Sequence, residues 1–310
     1  MKFIKVNIFI FLFLTTLFSI PSMLFAESEE KIDKTYPLDR DGKVYVENVS
    51  GDITVKSWNK NEIKVLARKT AQDKDLLDKV TVDINHTAGN IRIITRYNKL
   101  TGISLSSNVS VYYDLFIPEK AQLRVKTISG KVQAWAIGAH IDIETVSGRI
   151  DAVEAGQGVK CKTISGPIHL EEITGSTSLK SASGKIIVDG LKGSVEANTV
   201  SGDIEIKELS LAEEIEMETI KGNMELQGEL NAGGIYEFHT ISGRIRLVLT
   251  PESDFELQTD TISGEIQCDF RLNAYSIFTR NRLQGVVGNG GASLKISSVS
   301  GDILVNKGMQ

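Results

Sequence analysis

Three observations predict an all-β fold, a single-stranded parallel β-helix (a β-solenoid) with coils of 18–21 residues. First, a turn built on glycine recurs ten times, at Gly51, Gly130, Gly148, Gly166, Gly184, Gly202, Gly222, Gly243, Gly264 and Gly301. Second, five of these glycines fall 18 residues apart, from Gly130 to Gly202, and the next three follow at intervals of 20, 21 and 21. Third, apolar residues alternate with polar ones after each glycine, as in Ser-Gly-Asp-Ile-Glu-Ile from Ser201. A unit that short cannot bury a core alone, so copies must stack on one another. A right-handed winding is the expected sense.

The elements follow in chain order. Lys2 and Lys5 precede an apolar run from Val6 to Ile20, and Pro21 to Ala26 lead to a small residue, so residues 1–26 read as a secretory signal peptide cut after Ala26. The run is short for a membrane span and Pro21 breaks it, which disfavours an uncleaved anchor. No Cys follows the cut and no second run approaches spanning length, so the mature chain is expected without a lipid anchor or a transmembrane span. Residues 27–39 are charged and read as a flexible leader. Residues 40–120 hold less regular apolar alternations, expected to make an irregular N-terminal β region and cap. Residues 121–310 read as regular coils with a C-terminal cap, consecutive from 121 to 268 and interrupted from Asp269 to Gly291.

Two strands make one coil. The residues two after each glycine are Val132, Ile150, Ile168, Ile186, Ile204, Met224, Ile245, Ile266 and Ile303, and those four after include Leu170, Val188, Ile206 and Leu226. A period of two with one apolar side marks a half-buried strand. A second strand precedes the glycine, with inward pairs such as Leu123/Val125, Ile141/Ile143 and Ile215/Met217. Chain direction repeats with each coil, so neighbouring coils must pair in parallel. The glycine itself is expected to supply positive φ at the turn. Thr127, Thr145, Thr163, Thr199, Thr219, Thr240 and Thr261, with Ser181 and Ser298, recur three residues before it, where stacked hydroxyls are expected to pass hydrogen bonds from coil to coil. A regular Ser/Thr array that binds ice or mineral is the functional alternative for that row.

Charge and cysteines narrow the partners. The whole chain carries 35 basic and 40 acidic residues, and loss of Lys2 and Lys5 makes the mature protein more acidic still. Nucleic acid is a poor partner for that balance. Cys161 and Cys268 both fall at inward-facing positions, on coils too far apart for a disulfide, and are expected to be buried free thiols.

Little chemistry emerges. The residues three after the glycines run Asp151, His169, Ile187, Glu205, Glu225 and Arg246, where Ile187 splits the carboxylates that a sugar-cleaving β-helix would cluster. His86, His140, His169 and His239 fall on different rows, so no catalytic residue, cofactor site or metal cluster of His is expected. One acidic row stands out, Glu196, Glu216 and Glu237 with Glu218 beside it. It reads as a solvated face, with a weak Ca²⁺ site as the alternative.

Several motifs carry a family resemblance. Ser50-Gly51-Asp52-Ile53-Thr54-Val55 with Trp58 three on, Tyr113-Asp114-Leu115-Phe116-Ile117-Pro118, the Thr-x-Ser-Gly-x-Ile turns, and the Gly-rich stretch before Ser300-Gly301-Asp302-Ile303 are together similar to the bacterial "putative adhesin" domain family, a β-helical group of unknown function. Lys221 departs from the pattern, standing where the other turns have Ser. The resemblance implies residence at the cell envelope and a binding role. The expectation is therefore an exported, periplasmic or extracellular, non-enzymatic binding or scaffold protein whose partner is a protein or glycan of the envelope. A carbohydrate-active enzyme and a self-assembling structural protein are the competing classes.

Overall fold

The computed structural model describes residues 28–97, 109–210, 212–273 and 277–308. The segment read as a signal peptide lies outside them. Nearly every described element is a strand, and the strands form two long sheets, one of 13 strands and one of 14. Each coil gives the strand after its glycine to the first sheet and the strand before it to the second. Coil follows coil in parallel register, Val132 beside Ile150, then Ile168, Ile186, Ile204, Met224 and Ile245. These side chains are buried in one continuous column between the sheets. The β-solenoid reading is thus the fold of the protein.

The two ends depart from simple succession. The coil of Gly51 lies directly against that of Gly130, pairing Ile53 with Val132 and Val44 with Leu123. The last coil, that of Gly301, inserts between those of Gly243 and Gly264, pairing Ile303 with Ile245 on one side and Ile266 on the other. Residues 121–268 are therefore not all consecutive in space, contrary to the repeat count. The reason is protection of edges. The Gly51 and Gly301 coils are each tucked one coil in, while the excursions after Trp58 and after Leu249 fold outside them. Antiparallel strands end the sheets at three of the four edges, and the short parallel strand Ile266–Cys268 ends the fourth. Exposed edges invite pairing with other chains, and a charged edge strand such as Ser28–Pro37 or a very short one such as Ile266–Cys268 discourages it.

The leader is also ordered. Ser28–Pro37 is a ten-residue strand paired antiparallel with Glu62–Ala71, so the expectation of a flexible leader fails. Its charges misled the composition argument, because an edge strand that faces water tolerates Glu29, Lys31, Asp33 and Lys34. Behind it Lys69 is buried, and its ammonium donates to the carbonyls of Leu77 (3.3 Å) and Val80 (3.0 Å), at the end of the short helix Lys74–Leu77. Glu30 on the leader strand completes the ion pair.

The turn glycines are required for a reason other than the one expected. Only Gly51, Gly130 and Gly243 among the ten have positive φ. The others are pinned by proximity, since a Cβ on Gly184 would stand 1.9 Å from the carbonyl oxygen of Gly166, and one on Gly166 1.8 Å from that of Gly148. Glycine stacks on glycine because only a bare Cα lets successive turns approach this closely. Left-handed backbone appears instead at the opposite corner, six residues after the glycine, at Ala136, Glu154, Glu172, Gly190 and Glu208.

The hydroxyl row is buried as expected but bonds locally. Thr145 and Thr163 each accept a hydrogen bond at 3.0 Å from the N–H of their own turn glycine, and Ser181 accepts one at 2.7 Å. Thr219 instead donates to Gly202 of the preceding coil. Thr261 likewise donates to Gly301 of the neighbouring coil, and among the described residues no hydroxyl bonds to another along the column. In the first coil Asn48 takes the same place, donating to the carbonyls of Ser50, Gly51 and Val111.

Candidate interaction surface

Alternation should place every other residue of the strand before the turn inside. Thr, three before the glycine, obeys and is buried, and the next residue, usually Ile or Val, is therefore turned out to water. Ile128, Val146, Ile164, Val200, Ile220, Ile241, Val299 and Ile262 occupy this place in eight coils, and all are exposed, from 41% at Val146 to 73% at Ile262. Apart from these, the large hydrophobics exposed among the described residues are Trp135 and Ile235. Ala182 fills the same place in the Gly184 coil. At about 4.8 Å per coil the nine residues make an aliphatic ridge about 38 Å long.

The ridge is rigid. From Ser147 to Lys221 the residue that follows each ridge residue donates its N–H to the ridge carbonyl of the coil before, as Ser147 does to Ile128, Ser183 to Ile164, Ser201 to Ala182 and Lys221 to Val200, each at 2.9 Å. Ser147 and Ser183 add their hydroxyls to the same carbonyls at 3.3 Å. Ile and Val are stiff at χ1, so backbone and side chains are both set before any partner arrives. A contiguous exposed apolar strip of this length marks an interaction site on a soluble protein.

Charge is divided along the same molecule. On the outer face of the 14-stranded sheet, beside the ridge, the coils near the N-terminus present Lys43, Arg92, Arg124, Lys126, Lys160, Lys162 and Lys180 against Glu47, Asp142 and Glu144, while those near the C-terminus present Glu196, Glu216, Glu218, Glu237 and Asp260 against Lys295. The basic end contains a shallow cavity of about 570 Å³ lined by Lys43, Tyr45, Asn90, Arg92, Arg124 and His140 among others, where the Arg92 guanidinium stands 5.0 Å over the Tyr45 ring. Arg124 there is shared between Asp142 and Glu144, each at 3.4 Å.

The acidic row is assembled as the register requires. Glu196, Glu216 and Glu237 are direct neighbours on adjacent strands, and Glu218 lies between Asn198 and His239. Lys180 donates to Glu196 at 2.6 Å, holding its carboxyl below the usual range, and Lys295 bonds Glu237 at 2.9 Å. Glu216 lacks such a partner among the described residues. Desolvation, followed by the charges of Glu218, Glu196 and Glu237, pushes its carboxyl up. Among the described residues no three His, Cys, Asp or Glu side chains are placed to hold a metal ion.

The row three after the glycines is likewise in register, and its groups are already engaged. Asp151 is nearly buried between Lys131 (2.9 Å) and Arg149 (2.6 Å), and His169 lies 3.4 Å from Asp189 and 3.5 Å from Glu171. Each of these groups is thus paired within the face. The cysteines are both free thiols. Cys161 is fully buried, and burial pushes its thiol up. Cys268, expected to be buried too, is only half so because the three-residue strand Ile266–Cys268 ends its sheet.

The family model described as Toastrack DUF4097 matches residues 9–306. The chain belongs to the Toastrack family. Among curated proteins none matches this Toastrack chain. Among solved structures it is similar to a "putative lipid binding protein" from Parabacteroides distasonis ATCC 8503, with 14% identity, a TM-score of 0.46, and coverage of 90% of this chain and 97% of that one. It is also similar to a "putative adhesin" from Bacteroides fragilis NCTC 9343 (11% identity, TM-score 0.43, 90% and 98% covered). A third is a "putative cell adhesion protein" from Clostridium sporogenes ATCC 15579 (8% identity, TM-score 0.32, 90% and 100% covered).

The ridge escaped the sequence argument although its signal was present. Every regular copy has Ile, Val or Ala two before the glycine, directly after a residue already counted as inward. Two adjacent residues of a strand cannot share a face, so one member of each Thr-Ile pair had to be exposed.

Proposed function

We propose that this Toastrack protein is an exported, non-enzymatic binding or scaffold module of the cell envelope that engages its partner along the aliphatic ridge. The observation that carries this reading is the ridge itself, a line of exposed Ile and Val that the turn hydrogen bonds hold rigid. Export is supported by the composition of residues 1–26, and among the described residues no helix is long and apolar enough to cross a membrane. The non-enzymatic reading draws support from the Gly+3 row, whose carboxylates are consumed in ion pairs. End-to-end polymerisation is opposed by the irregular ends of the solenoid, where charged Ser28–Pro37 and the three-residue strand Ile266–Cys268 terminate one sheet. The cavity around Tyr45 and Arg92 favours a second, weaker contact with an acidic glycan.

Binding to envelope fractions tests the reading. The protein and its Ile164→Glu/Ile241→Glu variant are compared by sedimentation with washed envelopes. Both side chains are exposed, so the fold should survive, as circular dichroism will check. Loss of envelope binding in the variant is expected, and equal binding by both would refute the ridge as the contact surface.

A further inference from the structure

We propose that the ridge is a homodimer interface in which two copies lie ridge to ridge with their solenoid axes antiparallel. The inference rests on the ridge being a contact surface, and adds the partner. What selects a second copy is the pattern of charge flanking the ridge.

Two rows border it, one four residues before each turn glycine and one directly after it. Along the first five coils of the regular stack, from Gly130 to Gly202, these rows carry Lys126, Lys131, Arg149, Lys162, Lys180 and Lys185 against Glu144 and Asp203. Along the remaining coils, in spatial order Gly222, Gly243, Gly301 and Gly264, they carry Glu218, Asp302, Asp260 and Glu265 against Arg244, with Lys221 beside the ridge and Arg282 3.2 Å from Asp260 as further cations. One end of the ridge is basic and the other acidic. A twofold axis perpendicular to the ridge exchanges the ends and leaves each flank facing the same flank of the other copy.

The register follows from the ridge. Its nine residues from Ile128 to Ile262 are centred on Val200, with the one small residue, Ala182, beside the centre. With Val200 on the axis, Lys126 faces Asp260 of the second copy, Lys131 faces Glu265, Arg149 faces Asp302 and Lys180 faces Glu218, each cation sharing its charge with Glu144, Asp151 or Glu196 of its own copy. Symmetry makes each of these pairs twice. Asp203 alone meets its own copy, and it already accepts a hydrogen bond at 2.7 Å from the N–H of Asn223. The first coil, with Glu47 and Asp52, overhangs the second copy and escapes the acidic end. A parallel pairing, about an axis along the ridge, would instead set each row against the other row of the same coil, Lys126 against Lys131, Lys180 against Lys185 and Asp260 against Glu265. Rim charges of this kind select orientation more than they add affinity, and the apolar contact supplies the attraction. A strip about 38 Å long and about 16 Å wide covers about 600 Å² on each copy, near the roughly 800 Å² per partner of a standard specific interface.

Sedimentation equilibrium and cysteine cross-linking test the arrangement on the purified protein. The wild type should be a dimer at micromolar concentration, and Ile164→Glu should raise the dissociation constant at least tenfold. Lys126→Asp and Asp260→Lys should each weaken the dimer, and the double reversal should restore it. In a Cys268→Ser background, Val200→Cys should form an intermolecular disulfide with itself, because it lies on the axis, while Ile128→Cys should not. Cross-linking of Ile128→Cys to itself would show a parallel pairing and overturn the proposal. So would a monomeric wild type, or a dimer indifferent to Ile164→Glu. A monomer whose envelope binding still depends on the ridge would refute the homodimer while sustaining the ridge as a contact surface.

Discussion

Replacing Gly184 with Ala isolates the close approach that sets the spacing of the coils. The backbone of Gly184 is not in the left-handed region, so the added methyl meets no conformational penalty of its own. It would stand 1.9 Å from the Gly166 carbonyl oxygen and 2.7 Å from the carbonyl carbon, both backbone atoms of a coil held by ladders on two sheets. Relief demands a backbone shift of more than about 1 Å, which stretches parallel ladder bonds on one or both sides. Overpacking of this kind costs about 1–3 kcal/mol where side chains yield, and a rigid backbone puts the value at the top of that range, about 3 kcal/mol. For a chain of this size that is a fall of about 6 °C in melting temperature. Gly233→Ala is the matched control, because its φ is +81° but nothing lies within 4 Å of the new Cβ. It should cost only the left-handed penalty of about 1–2 kcal/mol. Urea titration followed by circular dichroism reads both variants. A Gly184→Ala protein as stable as the wild type, or less affected than Gly233→Ala, would refute proximity as the reason for the glycine column.

Other outcomes follow from the same structure. Ile186, fully buried between Ile168 and Ile204, should not tolerate Asp: the unpaired charge costs several kcal/mol, and an unchanged thermal melt would contradict the column. Because the pKa of Glu216 is raised in the folded state, its contribution to stability is present at low pH and is lost as pH rises through the folded value, so at pH 7 its charge opposes folding. Glu216→Gln should therefore raise the melting temperature at pH 7 and lose that advantage near pH 3.5, and an opposite pH trend would exclude the like-charge account. Ca²⁺ and Na⁺ at matched ionic strength should shift the wild-type melt equally, and a Ca²⁺-specific rise abolished in Glu216→Lys would make the acidic row a cation site. In thiol labelling of the native protein Cys268 should react slowly and Cys161 only after denaturation, as mass spectrometry will count.

The sequence by itself determined the coil. Glycine spacing, the Gly+2 and Gly+4 columns and the inward pairs before each turn fixed strand register throughout the regular stack, because period-two burial on a repeating chain leaves one way to pair. The same spacing placed Glu196, Glu216 and Glu237 side by side. What it did not determine is where the ends go. Copies of one motif are interchangeable as pairing partners, so nothing in Ser-Gly-Asp-Ile at Ser300 says that its coil inserts inside that of Gly264. That choice belongs to the tertiary structure, in which the excursions must fold outward to cover the sheet edges. The charged segment Ser28–Pro37 became a strand for the same reason, since Glu62–Ala71 offered an edge to pair with. The glycine column, too, was visible as a pattern but not as a cause: close approach between coils is a distance across the stack, which no single coil encodes. The ridge stood between these cases, its residues plain in the repeat and its exposure set only when Thr, three before the glycine, took the inward place.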